Sequence, residues 1–178
     1  MSTDLIIAGF GGQGILFAGK VIAYAGLLDG KEVSWLPSYG PEMRGGTANC
    51  SVCVSDSPIG SPLVTAPDVL IAMNSPSLKK FENAVVPGGL IILDSSIITE
   101  KVRRDDVRKI YLPATRLASD NGLKGMASMV MAGRLYRETG LCSEASFTEG
   151  IKKSVPARKL DLLDKNIAAA KIGMESGN

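Results

Sequence analysis

A chain of 178 residues with a net charge of +2, no histidine and three cysteines suits one domain over residues 1–178, large enough to bury about 70% of its unfolded surface without disulfides or metals. Without histidine there is no Ser-His-Asp or Cys-His nucleophile system, no His-ligated zinc and no imidazole proton shuttle, and the weak charge gives no basis for a nucleic-acid partner. No apolar run nears the roughly 20 residues of a membrane span, and Met1-Ser2-Thr3-Asp4 lacks the basic-then-apolar start of a signal peptide, so a cytoplasmic location is expected.

The apolar run Leu5 to Ala8 reads as a buried strand that ends at a glycine-rich turn, Gly9 to Gly14. Ile15 to Leu28 reads as a helix with Leu16, Gly19, Lys20 and Ala23 at helical spacing, closed by Asp29-Gly30. Val33 to Leu36 is a second strand, stopped by Pro37, and Ser38 to Gly46 is a loop. Thr47 to Val54 alternates: Ala48, Cys50, Val52 and Val54 share one face, and Thr47, Asn49, Ser51 and Cys53 the other, which predicts a half-buried strand. After a connection rich in proline and glycine, Val69 to Met73 is a buried strand. Ser75 is a good N-cap with Pro76 at the first helical position. The helix that follows has Leu78, Phe81 and Val85 as its apolar face, and strands follow at Leu90 to Leu93 and Ile110 to Leu112. The remainder reads as helical: Thr115 to Asp120, Met126 to Glu138, Glu144 to Lys153 and Arg158 to Ile172, with a frayed end from Glu175. Strands alternating with helices predict a three-layer α/β/α sandwich with a largely parallel sheet and a helical C-terminal part.

Gly9-Phe10-Gly11-Gly12-Gln13-Gly14 satisfies G-x-G-x-x-G between a strand and a helix, where glycines allow a tight turn and the approach of an anion to a helix N-terminus. Dinucleotide binding also needs an acid at the end of the second strand, which here runs into Leu36-Pro37. A packing turn, a phosphate and a partner chain all remain open as readings. Cys50 and Cys53 are three apart on a strand and point to opposite faces, so they do not share a metal; one is expected in the core and the other partly exposed. In the loop Ser38-Tyr39-Gly40-Pro41-Glu42-Met43-Arg44-Gly45-Gly46, Arg44 can hold a phosphate or carboxylate with a bidentate fork, and Gly45-Gly46 permits close approach. A solvated loop with an internal Arg44–Glu42 contact is an equal reading. The basic run Lys101, Arg103, Arg104, Arg108 and Lys109 reads as solvated surface, and Met126, Met129, Val130 and Leu135 as a core or subunit-facing stripe.

Taken together, the Gly-Gly-Gln-Gly turn, the Ser38–Gly46 loop, Pro67 to Asn74, Pro87-Gly88-Gly89 and Met129-Val130-Met131-Ala132-Gly133 resemble the gamma subunit of 2-oxoacid:ferredoxin oxidoreductases. The loop is closer to the oxoglutarate and ketoisovalerate types than to the pyruvate type, and indolepyruvate enzymes have a similar small subunit. The resemblance implies a complex that converts a 2-oxoacid, coenzyme A and oxidised ferredoxin into an acyl-CoA, carbon dioxide and reduced ferredoxin. It implies thiamine diphosphate, magnesium and iron–sulfur clusters held by sister chains, and no cofactor, metal or catalytic residue in this one. The implied partners are alpha and beta subunits, and a ferredoxin-like delta subunit where the complex has one, with ferredoxin reached through the complex. Gly11, Gly12, Gln13, Gly14, Ser38, Tyr39, Glu42, Arg44, Gly45 and Gly46 are then the candidates for contact with coenzyme A or a partner chain, and the isolated chain is expected to be inactive. The rival reading is a free-standing dinucleotide- or adenine-nucleotide-binding protein that uses the Gly9–Gly14 turn.

Overall fold

The computed structural model describes residues 2–38 and 47–177. Six strands form one sheet: β1 (Ser2–Phe10), β2 (Glu32–Ser38), β3 (Thr47–Ser55), β4 (Val69–Ala72), β5 (Leu90–Asp94) and β6 (Arg108–Leu112), in the spatial order β2-β3-β1-β4-β5-β6. The sheet is mostly parallel, with β3 reversed: it pairs antiparallel with both β1 and β2, while β1–β4, β4–β5 and β5–β6 are parallel. The reversal follows from chain length. Only residues 39–46 separate β2 from β3, too few for the dozen or so that a parallel crossover needs.

Helices α1 (Ile15–Leu28), α3 (Ala114–Asp120), α4 (Ala127–Thr139), α5 (Glu144–Ser154) and α6 (Leu163–Glu175) pack on one face of the sheet. There Leu5, Ile7, Cys50, Val52, Ile71 and Ile92 meet Val21, Met129, Leu135, Phe147 and Ala169 in one continuous core. The other face carries a thinner layer: α2 (Ser75–Phe81), a 3-10 turn at Glu82–Ala84, and the extended connections that contribute Val64, Ile98, Val102 and Val107. This asymmetry arises because the chain after β6 adds four helices, α3 to α6, to a single side. No helix among the described residues is long and apolar enough to cross a membrane.

Several elements depart from their sequence reading in instructive ways. Strand β2 continues through Pro37; it lies at the sheet edge, where a residue without an N–H costs no ladder hydrogen bond on its open side. Strand β3 is buried on both faces, because the connection after it folds back. Val64 covers Cys53, and the Val64 N–H donates to Ser51 Oγ at 3.4 Å. Cys53 is therefore a core residue rather than a partly exposed one. The buried stripe of α1 is Ile15, Ala18, Gly19, Val21, Ile22, Ala25 and Gly26, not the set through Leu16, Lys20 and Ala23. The N-cap of α2 is Asn74, whose Oδ1 accepts from Ser77 N–H at 2.8 Å, and Ser75 starts the helix. A 3-10 segment, Ala157–Leu162, precedes α6 where one longer helix was predicted; Lys159 there has φ −128°, outside the helical region. In the basic run, Arg104 is not a free surface charge: it donates to the carbonyls of Glu82 and Val85 and pairs with Asp106. Among the described residues the chain from Glu175 to Gly177 is held rather than frayed, since Arg134, itself buried, donates to the Ser176 carbonyl at 2.7 Å and Arg137 to the same carbonyl at 2.8 Å; Asn178 lies outside the described residues.

Candidate functional site

The strand order reverses between β1 and β4. From β1 the chain crosses over α1 toward the β2 edge, and from β4 it crosses over α2, on the opposite face, toward the β6 edge. In open α/β sheets this switch point leaves a crevice outside the strand C-termini. Here the Gly9–Gly14 turn leaves the end of β1, and Met73-Asn74 leaves the end of β4. The turn needs its glycines: Gly12 and Gly14 have φ of +90° and +79°, and a Cβ on Gly9 would press on Gln13, Ile15 and Met73. Across the mouth of the crevice lies Gln13. Its Oε1 accepts from Phe10 N–H at 2.6 Å and its Nε2 donates to the Met73 carbonyl at 3.0 Å, which ties the two strand ends together.

Two clefts flank this stitch. One, of about 340 Å³, is lined by Gly12, Gln13, Met73, Thr115, Ser119 and Lys124, among others. The other, of about 300 Å³, lies on the far side of the turn and is mainly apolar, with Phe10, Gly11, Leu16, Phe17 and Ala48 on its walls. Gly11 and Gly12 are exposed between them. The first cleft offers backbone and hydroxyl donors and the Lys124 ammonium, a set suited to an anion. Nearby Asp94 is fully buried and already engaged, accepting from Ser96 N–H at 3.0 Å and from the Thr115 N–H and hydroxyl, so it fixes the start of α3 and does not face a ligand. Lys124, Thr115 and Ser119 escaped the sequence reading because nothing in hydropathy or spacing marks them; the turn glycines Gly122 and Gly125, at φ +70° and +88°, are the signal that could have found this loop.

Of the site residues read from the sequence, Gly11, Gly12, Gln13, Gly14 and Ser38 lie at one end of the sheet. The register pairs Phe10 with Thr47, and it pairs Asn49 with both Ala8 and Ser38. The strand ends that bracket residues 39–46 thus stand beside the glycine turn. Tyr39, Glu42, Arg44, Gly45 and Gly46 lie outside the described residues. The register also weighs against dinucleotide binding. Strand β3 separates β2 from β1, so the end of β2 sits roughly 10 Å from β1, at two strand spacings, and its last residue is Ser38, not an acid.

The cysteines have no part in this site. Cys50 faces α1 and Cys53 the opposite layer, and burial pushes their thiols up to about 12 and about 11. Cys142 is likewise pushed to about 12 by burial and by Asp29. Among the described residues, no group of three His, Cys, Asp or Glu could hold a metal ion. A separate feature lies at the sheet edge, where Trp35, Leu36, Leu27 and Leu28 are exposed and Lys20, Tyr24, Leu27, Val33 and Trp35 line a shallow groove between α1 and β2.

Comparison with known proteins bears on what this architecture is. Residues 4–176 match the family model described as pyruvate ferredoxin/flavodoxin oxidoreductase. The chain is 36% identical over 178 residues to the 2-oxoglutarate synthase subunit KorC of Methanocaldococcus jannaschii, covering 98% of this chain and 94% of that one. It is 43% identical over 171 residues to the ketoisovalerate oxidoreductase subunit VorA of Methanothermobacter thermautotrophicus, covering 95% of this chain but spanning only 35% of that longer protein. Among solved structures, the keto/oxoacid ferredoxin oxidoreductase gamma subunit from Geobacter sulfurreducens superposes with a TM-score of 0.84 at 26% identity, over 97% of this chain and 96% of that one. With sequence and fold matched from end to end, this chain belongs to the pyruvate ferredoxin/flavodoxin oxidoreductase family and is a gamma subunit of the 2-oxoacid:ferredoxin oxidoreductase type.

Proposed function

We propose that the chain acts as one gamma-type domain in a cytoplasmic complex that converts a 2-oxoacid of the oxoglutarate or ketoisovalerate type, coenzyme A and oxidised ferredoxin into the acyl-CoA, carbon dioxide and reduced ferredoxin. Alpha and beta chains, and a ferredoxin-like delta chain where one exists, supply thiamine diphosphate, magnesium and iron–sulfur clusters. This chain packs against them and contributes to coenzyme A binding through the Gly11–Gly14 turn and the Ser38–Gly46 loop. The observation that carries the reading is the nearly full-length match to a relative that is itself named a subunit of 2-oxoglutarate synthase. The strand ends that flank residues 39–46 stand at the same end of the sheet as the glycine turn, which supports it, as does the exposed apolar edge at Trp35 and Leu36.

The test is purification of the chain from its host with its partners attached, followed by replacement of one residue. Large partner chains carrying thiamine diphosphate and iron are expected to co-purify; isolation of the chain alone, with no such partners under any mild condition, would overturn the assignment. In the assembled complex, Arg44→Ala is expected to raise the Michaelis constant for coenzyme A by about 10- to 150-fold, the equivalent of roughly 1.5–3 kcal/mol for a charge-assisted hydrogen bond. Decarboxylation without coenzyme A should be largely unchanged. Loss of the mutant subunit from the complex would instead assign Arg44 to assembly, and wild-type assembly with wild-type kinetics would remove the loop from the mechanism.

A further inference from the structure

Helix α1 is apolar on every side: of its 14 residues only Lys20 is charged. A helix of that composition is normally enclosed all round, yet the sheet, α4 and α5 cover it on one side only. Ile15, Ala18, Val21, Ile22 and Ala25 are buried there. Leu16, Lys20, Ala23, Tyr24 and Leu27 stay partly or fully exposed, and their spacing places them on one stripe along the helix. The stripe runs on to the sheet edge. Lys20, Tyr24 and Leu27 share a groove with Val33 and Trp35 of β2, and Leu16 shares the neighbouring cleft with Phe10 and Ala48.

The two edges of the sheet are built differently. An open strand edge invites pairing, and an edge that stays in solvent is commonly guarded by charge. Strand β6 follows that rule: Arg108 pairs with Glu138, and Lys109 with Asp105. The middle of β2, Val33-Ser34-Trp35-Leu36, carries no charge, and Trp35 and Leu36 are exposed. The β2 edge and the outer side of α1 thus form one surface that lacks the protection given to the opposite edge. The charge on this surface says what covers it. Lys20 lies over the Tyr24 ring, 5.6 Å from its centroid, and makes no ion pair among the described residues. No acid lines the groove or the neighbouring cleft. Covering the stripe takes the Lys20 ammonium out of water, which is costly unless a carboxylate meets it. A second copy seated about a two-fold axis presents the same acid-free surface and brings no such carboxylate.

We propose that the outer stripe of α1 and the β2 edge form the docking surface for a sister chain, which presents an apolar face with a carboxylate opposite Lys20. This rests on the reading of the chain as a subunit of a larger complex. The experiment is hydroxyl-radical footprinting of the purified complex and of the dilute isolated chain. Tyr24 and Trp35 report on the surface, and Tyr111 on the opposite edge, 41% exposed, is the internal reference. Tyr24 and Trp35 are expected to lose reactivity in the complex while Tyr111 keeps its own. Lys20→Glu should weaken association with the sister chain by about tenfold or more, as loss of one partner of a desolvated charge pair does. Lys20→Arg should retain it, as should Lys165→Glu at an exposed position on α6, and thermal unfolding checks that each variant is folded. A complex that carries thiamine diphosphate and iron but leaves Tyr24 and Trp35 as reactive as in the free chain would sink the docking surface and leave the functional reading intact. Absence of any partner chain would overturn both. Protection of the two residues in the dilute isolated chain would give the surface to a second copy, and full tolerance of Lys20→Glu would remove the carboxylate; either result overturns the proposal.

Discussion

Gln13 shows how one side chain can decide what a motif does. The glycines around it fit a phosphate-binding turn, but its amide is spent on Phe10 N–H and the Met73 carbonyl and ties the two strand ends together rather than facing a ligand. Gln13→Ala leaves both backbone groups without that partner and is expected to destabilise the chain by about 1–3 kcal/mol, two hydrogen bonds' worth, read as a drop in the urea midpoint. An unchanged midpoint would mean that the strand ends are held without the bridge. Glu100 offers a pH test. The Ser75 hydroxyl, with its own backbone amide and Lys79, holds its carboxyl at about 2 against 4.5 unfolded. The folded-state value is depressed, so the stabilisation is complete above 4.5 and is lost as the pH falls from there through about 2. Glu100→Gln should therefore flatten the acid limb of stability over that window, and NMR titration of the Glu100 carboxyl should place its midpoint near the lower bound. A midpoint close to the unfolded value would remove the tether between α2 and the segment before β6.

At the level of elements, α4 and α6 meet backbone to backbone rather than through large side chains. Gly133 of α4 lies against the Ala170 carbonyl of α6, and Gly173 of α6 against the Val130 carbonyl of α4; a Cβ at either glycine would approach those oxygens well inside 3.0 Å. Helices this close interlock along small residues, and a backbone carbonyl cannot move aside as a flexible side chain can. Gly133→Ala and Gly173→Ala are each expected to cost about 3 kcal/mol or more, the upper end of overpacking, or to prevent folding. Gly60→Ala, in open space, should change stability by less than about 0.5 kcal/mol, as surface substitutions usually do. Thermal unfolding of the three variants separates these outcomes, and a mild effect at Gly133 would show that α6 can slide. The same helix pair is closed at its end by Arg134 and Arg137, which take up the last carbonyls of α6; the cations meet the negative end of the helix dipole.

For the whole molecule, the β2 edge is the surface most in need of a partner. Trp35 and Leu36 are each 37% exposed and Leu27 is 59% exposed, next to an open strand edge. The isolated chain is expected to self-associate, with sedimentation coefficients that rise with concentration. Leu27→Glu with Leu36→Glu should return it to monomer. Because Trp35 is the sole tryptophan, its emission should shift to the blue when sister chains are added. A clean monomer at high concentration with unshifted emission on complex formation would place the interface elsewhere.

Much of this architecture was legible in the residues. Period-two alternation placed Cys50, Val52 and Val54 on one face of β3 and Cys53 on the other, because the strand pleat fixes that alternation locally. The boundaries of α1 followed from the glycine turn before it and Asp29-Gly30 after it. The gamma-subunit likeness was carried by motifs whose residue types and order survive in any reading of the chain. What pairs with what was not legible, since pairing depends on contacts remote in sequence. Only the tertiary structure inserts β3 between β1 and β2, which removes the dinucleotide geometry. Only there does Val64 cover β3 and Gln13 reach Met73, sixty residues away. Local chemistry set the elements and the turn; the register and the crossovers decided which of those turns form a site.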